Sequence, residues 1–490
     1  VLAAGEKVDF KFTPFRETAE DKVWVEAGGT PSVDWNRMFK YMRYYPHSCS
    51  EQICSKGLTL LYALQNLSEE NYGKARDMIP QMIDDLYSRQ RSDGGILYWP
   101  GTGKSNEWVS SMTLEFLAAA RAEGFQVAGD VVNALVKYQR NCVNAYKRST
   151  GYALDDLAQA YRLFSLAVSG NADEASMNRL KLGGELSWPA TMMLASAYSA
   201  CGKAAVGKEI IDAFGDNSKE WTPSDMTFGS SLRDNAIMLE ALVRTGDISA
   251  AVSHAAEIIR NYDAAYWNTQ ESFFIAKAFR ELSAKVTKDK IKADASNSKS
   301  KSERNGVITW NIDSSAGMTS VTNNSAGPVF VRFTAVSQPS PDTAVKEASN
   351  GGLELNVRYT GLEDITVDPA EMVQGDEFTA VITVSNCSAT GNFSNLALAY
   401  LIPSGWEIIN DRLTGTEEND GRYDRLDIRD DRVLLYFDLP MNTYKKFRIR
   451  LRAAYEGDYI LPSASCECMY DRSVNACTAS ERCKVTRLGE

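Results

Sequence analysis

The period of the apolar residues changes twice along this chain, and that change limits its fold more than any other feature. Val8, Phe10 and Phe12 alternate with polar residues, as in a half-buried strand. From about Asp34 to Ala284 the spacing is helical. Leu60, Leu64 and Leu67 share a face, as do Met112, Phe116 and Ala119, and later Ile237, Ala241 and Leu242. Ser169-Gly170-Asn171, Cys201-Gly202 and Thr245-Gly246-Asp247 punctuate the block, which divides into about eleven stretches of ordinary helix length. Short helices, each apolar on one face and paired with the next, predict antiparallel hairpins wrapped into an α/α toroid.

Period two then returns. Val329, Val331 and Phe333 alternate, as do Leu353, Leu355 and Val357, and Phe447, Ile449 and Leu451 are separated by Arg448 and Arg450, with Arg452 following. Strands on both sides of the helical block predict a helical domain inserted into a β domain. Between the two regimes lies KVTKDKIKADASNSKSKSERN (285–305), which has almost no apolar residues and reads as an exposed loop or linker.

A chain of 490 residues exceeds one ordinary core, so two to four domains are expected. The net charge of −11 is spread without a basic stripe, which argues against a nucleic-acid groove or an anionic-membrane patch. No window approaches the roughly 18 apolar residues of a membrane helix. The start carries neither an initiator Met nor a signal-peptide pattern, and reads as a piece of a longer protein. Cys466, Cys468, Cys477 and Cys483 crowd the end, but their spacing fits no C-x2-C metal pair and no His is near, so no metal or cofactor is expected. Disulfides formed in an oxidising compartment are the expectation for them. The odd total of nine leaves at least one cysteine otherwise employed.

The segment Tyr44-Tyr-Pro-His-Ser-Cys49-Ser-Glu-Gln52 carries the chemistry. It sets a thiol three residues before a carboxamide, directly ahead of an apolar helix. Residues three apart share a helix face, so the Cys49 sulfur can reach the Gln52 side-chain carbonyl, expel ammonia and leave an internal thioester. A helix N-terminus favours the thiolate this needs. The product is an acylating agent that survives only while water is kept out. The residues alone equally fit an ordinary helix start with a buried Cys and a capping Glu or Gln. His47, two residues before the thiol, is a candidate local base, and its alternative is a packing residue near a helix start. His254, in Ser253-His-Ala-Ala, reads as a surface or core residue.

The stretch YYPHSCSEQICSKGLTLLYAL resembles the thioester segment YPYGCxEQ of the bacterial α2-macroglobulins and their complement relatives. Gln90-Arg-Ser-Asp-Gly-Gly95, followed by Trp99 and Trp108, is similar to that family's Q-x-x-DGG-x-x-x-W stretch. Ser231-Leu-Arg-Asp234 resembles a later helix start, and Asn268-Thr-Gln-Glu271 the final toroid helix. Leu401-Ile-Pro-Ser-Gly-Trp406-Glu-Ile resembles the LPxGxEI turn of the last domain, and Gly457-Asp-Tyr-Ile-Leu-Pro462 with Met469-Tyr-Asp471 its closing strand pair. The matches run in order over most of the chain.

The resemblance implies a multidomain α + β protein: an α/α toroid thioester domain (31–286) inserted in a CUB-like β domain (1–30, continued with the linker at 287–357), followed by a macroglobulin-like β-sandwich (358–490). It implies a thioester between Cys49 and Gln52, with Ser50 and Glu51 orienting the motif and Tyr45 and Met469 shielding the bond. It further implies a single-use protease trap rather than an enzyme. Such a trap is cleaved in a bait region not recognisable in this stretch, and bonds the attacking protease through lysine amines. Residence outside the cytoplasm, in the periplasm or at the cell surface, follows from the same resemblance, and a membrane anchor would lie elsewhere in the parent. The sequence departs from the family pattern at His47-Ser48, where Tyr-Gly is usual. It also lacks, over Tyr161 to Gly170, the His that steers complement-type thioesters towards hydroxyls.

Other classes stay open on the residues. An α/α toroid also serves carbohydrate-active and cyclase-like enzymes, for which Asp93, Asp155 or Asp156 would be candidate carboxylates. A non-covalent binding module in which the thioester never forms is the other alternative.

Overall fold

The computed structural model describes the chain except residues 15–21, 32, 148–153, 215–221, 224, 262–267, 287–290, 338–348, 362–363, 389–390, 410–422, 472 and 488–490. It divides into two compact units, Val1–Gln338 and Pro339–Glu490.

Six helices of the first unit form a closed ring. They are α2 (Ser50–Ala63), α4 (Glu107–Ala122), α6 (Leu154–Val168), α8 (Trp188–Ala200), α10 (Ser231–Thr245) and α12 (Thr269–Lys285). Each packs on the next, and α12 packs back on α2. A second layer covers the seams: α1 (Trp35–Tyr44) and α3 (Glu69–Tyr87) lie on α2, α5 (Gly129–Ala145) bridges α4 and α6, and α7 (Glu174–Leu182) bridges α6 and α8. In the same way α9 (Ala204–Phe214) bridges α8 and α10, and α11 (Ile248–Asn261) bridges α10 and α12. This is an α/α toroid, with twelve α-helices among the described residues.

The two layers differ in sequence because they differ in surroundings. Inner helices are wrapped by neighbours, and every residue of α2 except Lys56 is buried. Outer helices bury one stripe, as α3 does with Ala75, Ile79, Met82, Ile83 and Leu86. Helix starts carry side-chain caps where the sequence offers them. Ser68, Asn106, Ser187 and Ser230 each accept the backbone N–H three residues on. Gly57 lets α2 approach α4, since a Cβ there would meet the Phe116 ring at 2.5 Å.

Strands from before and after the helical block share sheets. Strand β2 (Lys22–Gly28) pairs antiparallel with β5 (Val307–Ile312) and β7 (Phe330–Val336), and β1 (Lys7–Lys11) pairs with β6 (Met318–Asn323). Val23, Val25, Ala27, Ile308, Trp310 and Val321 fill the core of this β domain. The helical domain is thus an insertion, as its flanking periodicity predicts. The expected linker needs correction. Residues 287–290 lie outside the described residues, but Ala293–Ala295 (β3) and Ser298–Arg304 (β4) are strands. Every residue of β4 is exposed, and it forms the edge of the sheet ordered β4-β5-β2-β7. Its Lys and Ser residues suit an edge strand that must not recruit another chain.

The second unit is a β-sandwich. One sheet holds Trp406–Ile408, Tyr444–Ala453, Glu377–Asn386 and Leu353–Thr360. The facing sheet holds Arg425–Ile428, Arg432–Leu439, Phe393–Leu401, Ser465–Cys468, Asn475–Cys477 and Ser349–Gly351, and a third, small sheet joins Met372–Val373, Glu481–Thr486 and Gly457–Leu461. Phe447, Ile449 and Leu451 point into the core while Arg448, Arg450 and Arg452 face out. The boundary expected at 357/358 falls inside the strand Leu353–Thr360, which pairs along its length with Glu377–Asn386; the division lies at 338/339. Two stretches quoted from the sequence meet here: a Cβ on Gly405 would strike the Tyr459 ring at 2.2 Å, and Trp406 is buried beside Phe378 and Tyr359.

Three of the four C-terminal cysteines, Cys466, Cys477 and Cys483, are buried, and Cys468 is half-buried. Cys466 and Cys468 alternate with Glu467 along a strand. Burial pushes the Cys466 thiol up, and the Cys468 thiol donates to the Ser394 carbonyl at 3.2 Å.

Candidate functional site

Cys49 is the N-cap of α2 and Gln52 its third residue, and the two form a reciprocal capping box. The Cys49 sulfur accepts the Gln52 backbone N–H, while the Cys49 backbone N–H donates to Gln52 Oε1 at 3.0 Å. Both residues have no exposed surface. The thiol and the carboxamide expected to react therefore sit on one turn, away from solvent. A donor already lies on the carbonyl oxygen that would carry charge in an attack on Cδ.

Glu51, the residue before Gln52, is wholly buried. Its buried carboxylate ties α2 to the first turn of α12, accepting from the Thr269 hydroxyl at 3.0 Å, the Gln270 amide at 2.6 Å and the Ser55 hydroxyl at 2.6 Å. The Trp108 indole N–H, at the start of α4, donates to Gln270 Oε1 at 3.3 Å. Asn268 and Glu271 form a second capping box on α12, and the Ser230 hydroxyl at the start of α10 donates to Glu271 Oε1 at 2.7 Å. The N-termini of α2, α4, α10 and α12 thus converge. Their dipoles favour negative charge at this end of the ring.

The other flank is held by the loop between α3 and α4. Ser50 N–H donates to the Tyr98 carbonyl at 2.9 Å and its hydroxyl to the Leu97 carbonyl at 2.5 Å. Arg89 Nη1 reaches the Ser48 carbonyl at 3.0 Å and the Ser50 Oγ at 3.1 Å. The Asp-Gly-Gly turn shapes this loop. Asp93 accepts from Gly95 N–H and the Ser105 hydroxyl, and Gly94 has φ +91°, with space for no Cβ against the Ala134 carbonyl at 2.3 Å. Asp93 is therefore a turn-forming residue. Asp156 receives the Ser187 hydroxyl and backbone N–H at the start of α8, and the side chain of Asp155 lies outside the described residues.

Tyr45, half-buried, ends α1 and contacts Tyr41 and His47 edge-on at centroid distances of 5.4 and 5.2 Å. His47 is buried. Ser48, where the family pattern has Gly, is not among the described residues with positive φ, so its backbone asks for no glycine. Met469 belongs to the second unit, where its N–H donates to the Asn395 carbonyl at 3.1 Å. Cys54, two residues beyond Gln52, is a different kind of thiol: burial pushes it well up, and its sulfur lies 3.3 Å from the Thr113 hydroxyl. His254 faces the Asn235 carbonyl at 3.1 Å and is pushed down by burial.

Sequence reasoning missed Arg89 and gave Gln270 no role. It also missed an ionic cluster inside the ring. Lys277 Nζ lies 3.1 Å from Glu115 and 2.9 Å from Glu240; Tyr62 and Tyr161 donate to Glu115, and Arg244 to Glu240. A lone charge inside a wholly apolar run, as in Phe273-Phe-Ile-Ala-Lys277-Ala-Phe279, was the available signal.

The chain is thus an α/α toroid inserted in a β domain, with a buried Cys–Gln capping box at one end of the ring and a β-sandwich later in the sequence. A family model described as the bacterial alpha-2-macroglobulin MG10 domain matches residues 352–472. An alpha-2-macroglobulin homolog of Yersinia pestis is 22% identical over 92% of this chain and 25% of its own length. The alpha-2-macroglobulin of Escherichia coli K12 is 23% identical over 94% and 29%. The chain thus spans about a quarter of the length of these curated relatives. The native E. coli structure running from domain MG7 to the C-terminus superposes with a TM-score of 0.80 at 21% identity, covering 99% of this chain and 81% of that one. The Salmonella alpha-2-macroglobulin reacted with methylamine gives 0.80 at 20%, covering 99% and 34%. Residues 352–472 thus match the bacterial alpha-2-macroglobulin MG10 domain, and the chain as a whole is similar in sequence and fold to bacterial alpha-2-macroglobulins.

Proposed function

We propose that this chain is the part of a single-use protease trap that carries an internal thioester, joining Cys49 Sγ to Gln52 Cδ. The observation that carries this reading is the buried reciprocal capping box, which places nucleophile, electrophile and a donor to the carbonyl oxygen on one helical turn. In formation, the Cys49 thiolate attacks Cδ. The oxygen's charge falls on the Cys49 N–H, and ammonia leaves with the proton given up by the thiol. In capture, a lysine amine of an attacking protease adds to the same carbon, an amide forms, and Cys49 leaves as a thiol. Each bond is spent once, so the protein is not an enzyme.

Three further assignments complete the reading. Tyr45 and Met469 shield the bond from water and stray amines, Ser50 and Glu51 fix the motif, and His47 is a local base. The trap acts outside the cytoplasm, in the periplasm or at the cell surface, where proteases are met. The methylamine-reacted Salmonella relative supports the choice of test.

Accessible thiols are first blocked with iodoacetamide on the native chain, methylamine is added, and peptide mass spectrometry locates any new thiol. A new thiol at Cys49 with a methylamide on Gln52 is the expected result. Cys49 already alkylated, with Gln52 untouched, would sink the thioester and leave a non-covalent module. Protease adducts that resist denaturation should form with the native chain in its parent and vanish on Cys49→Ala.

A further inference from the structure

Arg89 stands at the end of α3, 40 residues from Cys49 in sequence, yet it brackets that residue from both sides. One guanidinium nitrogen donates to the Ser48 carbonyl, just before the cysteine, at 3.0 Å, and to the Ser50 hydroxyl, just after it, at 3.1 Å. The side chain is almost wholly enclosed, with 6% of its surface exposed. A cation so held cannot be screened by solvent as a surface lysine is. At Cys54, five residues on, burial and the Glu51 carboxylate raise the thiol while the Arg89 charge lowers it, so Arg89 is the cation that opposes Glu51 at this end of α2.

We infer that Arg89 is a positioning residue that tunes Cys49 electrostatically as well as holding its backbone, so that this sulfur works as a thiolate although it is buried. The deduction rests on the thioester reading, and deepens it. Burial alone opposes thiolate formation, as Cys54 shows on the same helix. A nucleophile that attacks Gln52 and later departs from the acyl group must nevertheless carry negative charge at both moments. The convergent helix N-termini contribute partial charges, and Arg89 contributes a whole one. Its two contacts also fix the residues before and after Cys49, which sets the N-cap geometry that brings sulfur and carboxamide together.

The test compares Arg89→Gln, which keeps hydrogen-bonding capacity without charge, with Arg89→Lys, which keeps charge without the planar fork. Thermal melts establish that each variant is folded, and Arg89→Met stands in for the Gln variant if that one is not. The measurement is the pH–rate profile of Cys49 alkylation by iodoacetamide, read from the Cys49 peptide. Where a thioester is present, the thiol is first released with methylamine; where it is absent, the thiol is alkylated directly. Arg89→Gln should move the inflection up by about one pH unit, the scale of a nearby opposite charge, and Arg89→Lys should restore it. An unchanged profile in Arg89→Gln, or a Lys variant shifted as far as the Gln variant, overturns the inference. Whether methylamine was needed to expose Cys49 reports on the thioester separately, so the two ideas can fail independently.

Discussion

Gln270 and Glu51, 219 residues apart in sequence, meet at 2.6 Å between the amide nitrogen of one and the carboxylate of the other. That contact joins the first turn of the last inner helix to the first turn of the helix bearing Cys49, and so closes the ring at the candidate site. The Thr269 hydroxyl and the Ser55 hydroxyl share the same carboxylate. The Cys–Gln turn is thus held by the closure of the whole toroid rather than by its own short loop.

Replacing Glu51 by Ala leaves the Gln270 amide and the Thr269 hydroxyl buried without this acceptor. The cost is expected at about 1–3 kcal/mol, the range for a stranded buried partner. Urea denaturation should show the midpoint falling with the slope unchanged. Hydrogen exchange should accelerate first at the N-termini of α2 and α12.

Cys49 caps its helix, so removing the reactive sulfur and removing the cap can be separated. Cys49→Ser keeps a good capping oxygen and should melt at or above the native temperature. Cys49→Ala should lose about 1 kcal/mol, the usual worth of an N-cap. Neither should release a thiol at this position or form protease adducts.

Gly94→Ala places a methyl 2.3 Å from the Ala134 carbonyl at a φ of +91°. Neither the backbone oxygen nor the positive φ can accommodate it, and a loss of about 2–4 kcal/mol is expected from strain and overpacking. Because the loop it shapes supplies the Leu97 and Tyr98 carbonyls to Ser50, Cys49 should also become more accessible to alkylation. A variant with native stability would contradict this account of the turn.

Burial holds His254 below its ordinary pKa, with the Asn235 carbonyl at 3.1 Å and Glu257 at 4.0 Å acting the other way. Above pH 6.5 the ring is neutral in both states and its contribution is complete. As the pH falls below that value the unfolded chain takes up the proton more readily, so stability drops until the folded ring is protonated too. Melting curves between pH 7 and pH 5 should therefore be flatter for His254→Gln than for the native chain. A steeper curve in the variant would reverse the sign.

Much of this was legible in the residues. The change from period 3.6 to period 2 marked the helical block and the strands around it, because side-chain direction repeats with backbone geometry. Cys49 and Gln52 stood out because their spacing is local. The run 285–305 was misread because edge strands need no apolar residues: β4 is recognised by its pairing with β5, not by its own composition. Leu353–Val357 was assigned to the wrong domain because alternation shows that a strand exists, not which sheet it joins.

What the sequence determined alone was local: helix starts and caps, strand alternation, and a thiol and a carboxamide three residues apart. What only the tertiary structure decided was everything joined across long separations. Arg89 set on Ser48 and Ser50, Gln270 on Glu51, and Lys277 between Glu115 and Glu240 are partnerships of this kind. The physical reason is that capping and periodicity are set by neighbours along the backbone. Which charge or amide meets a buried group depends on how the helices close into a ring.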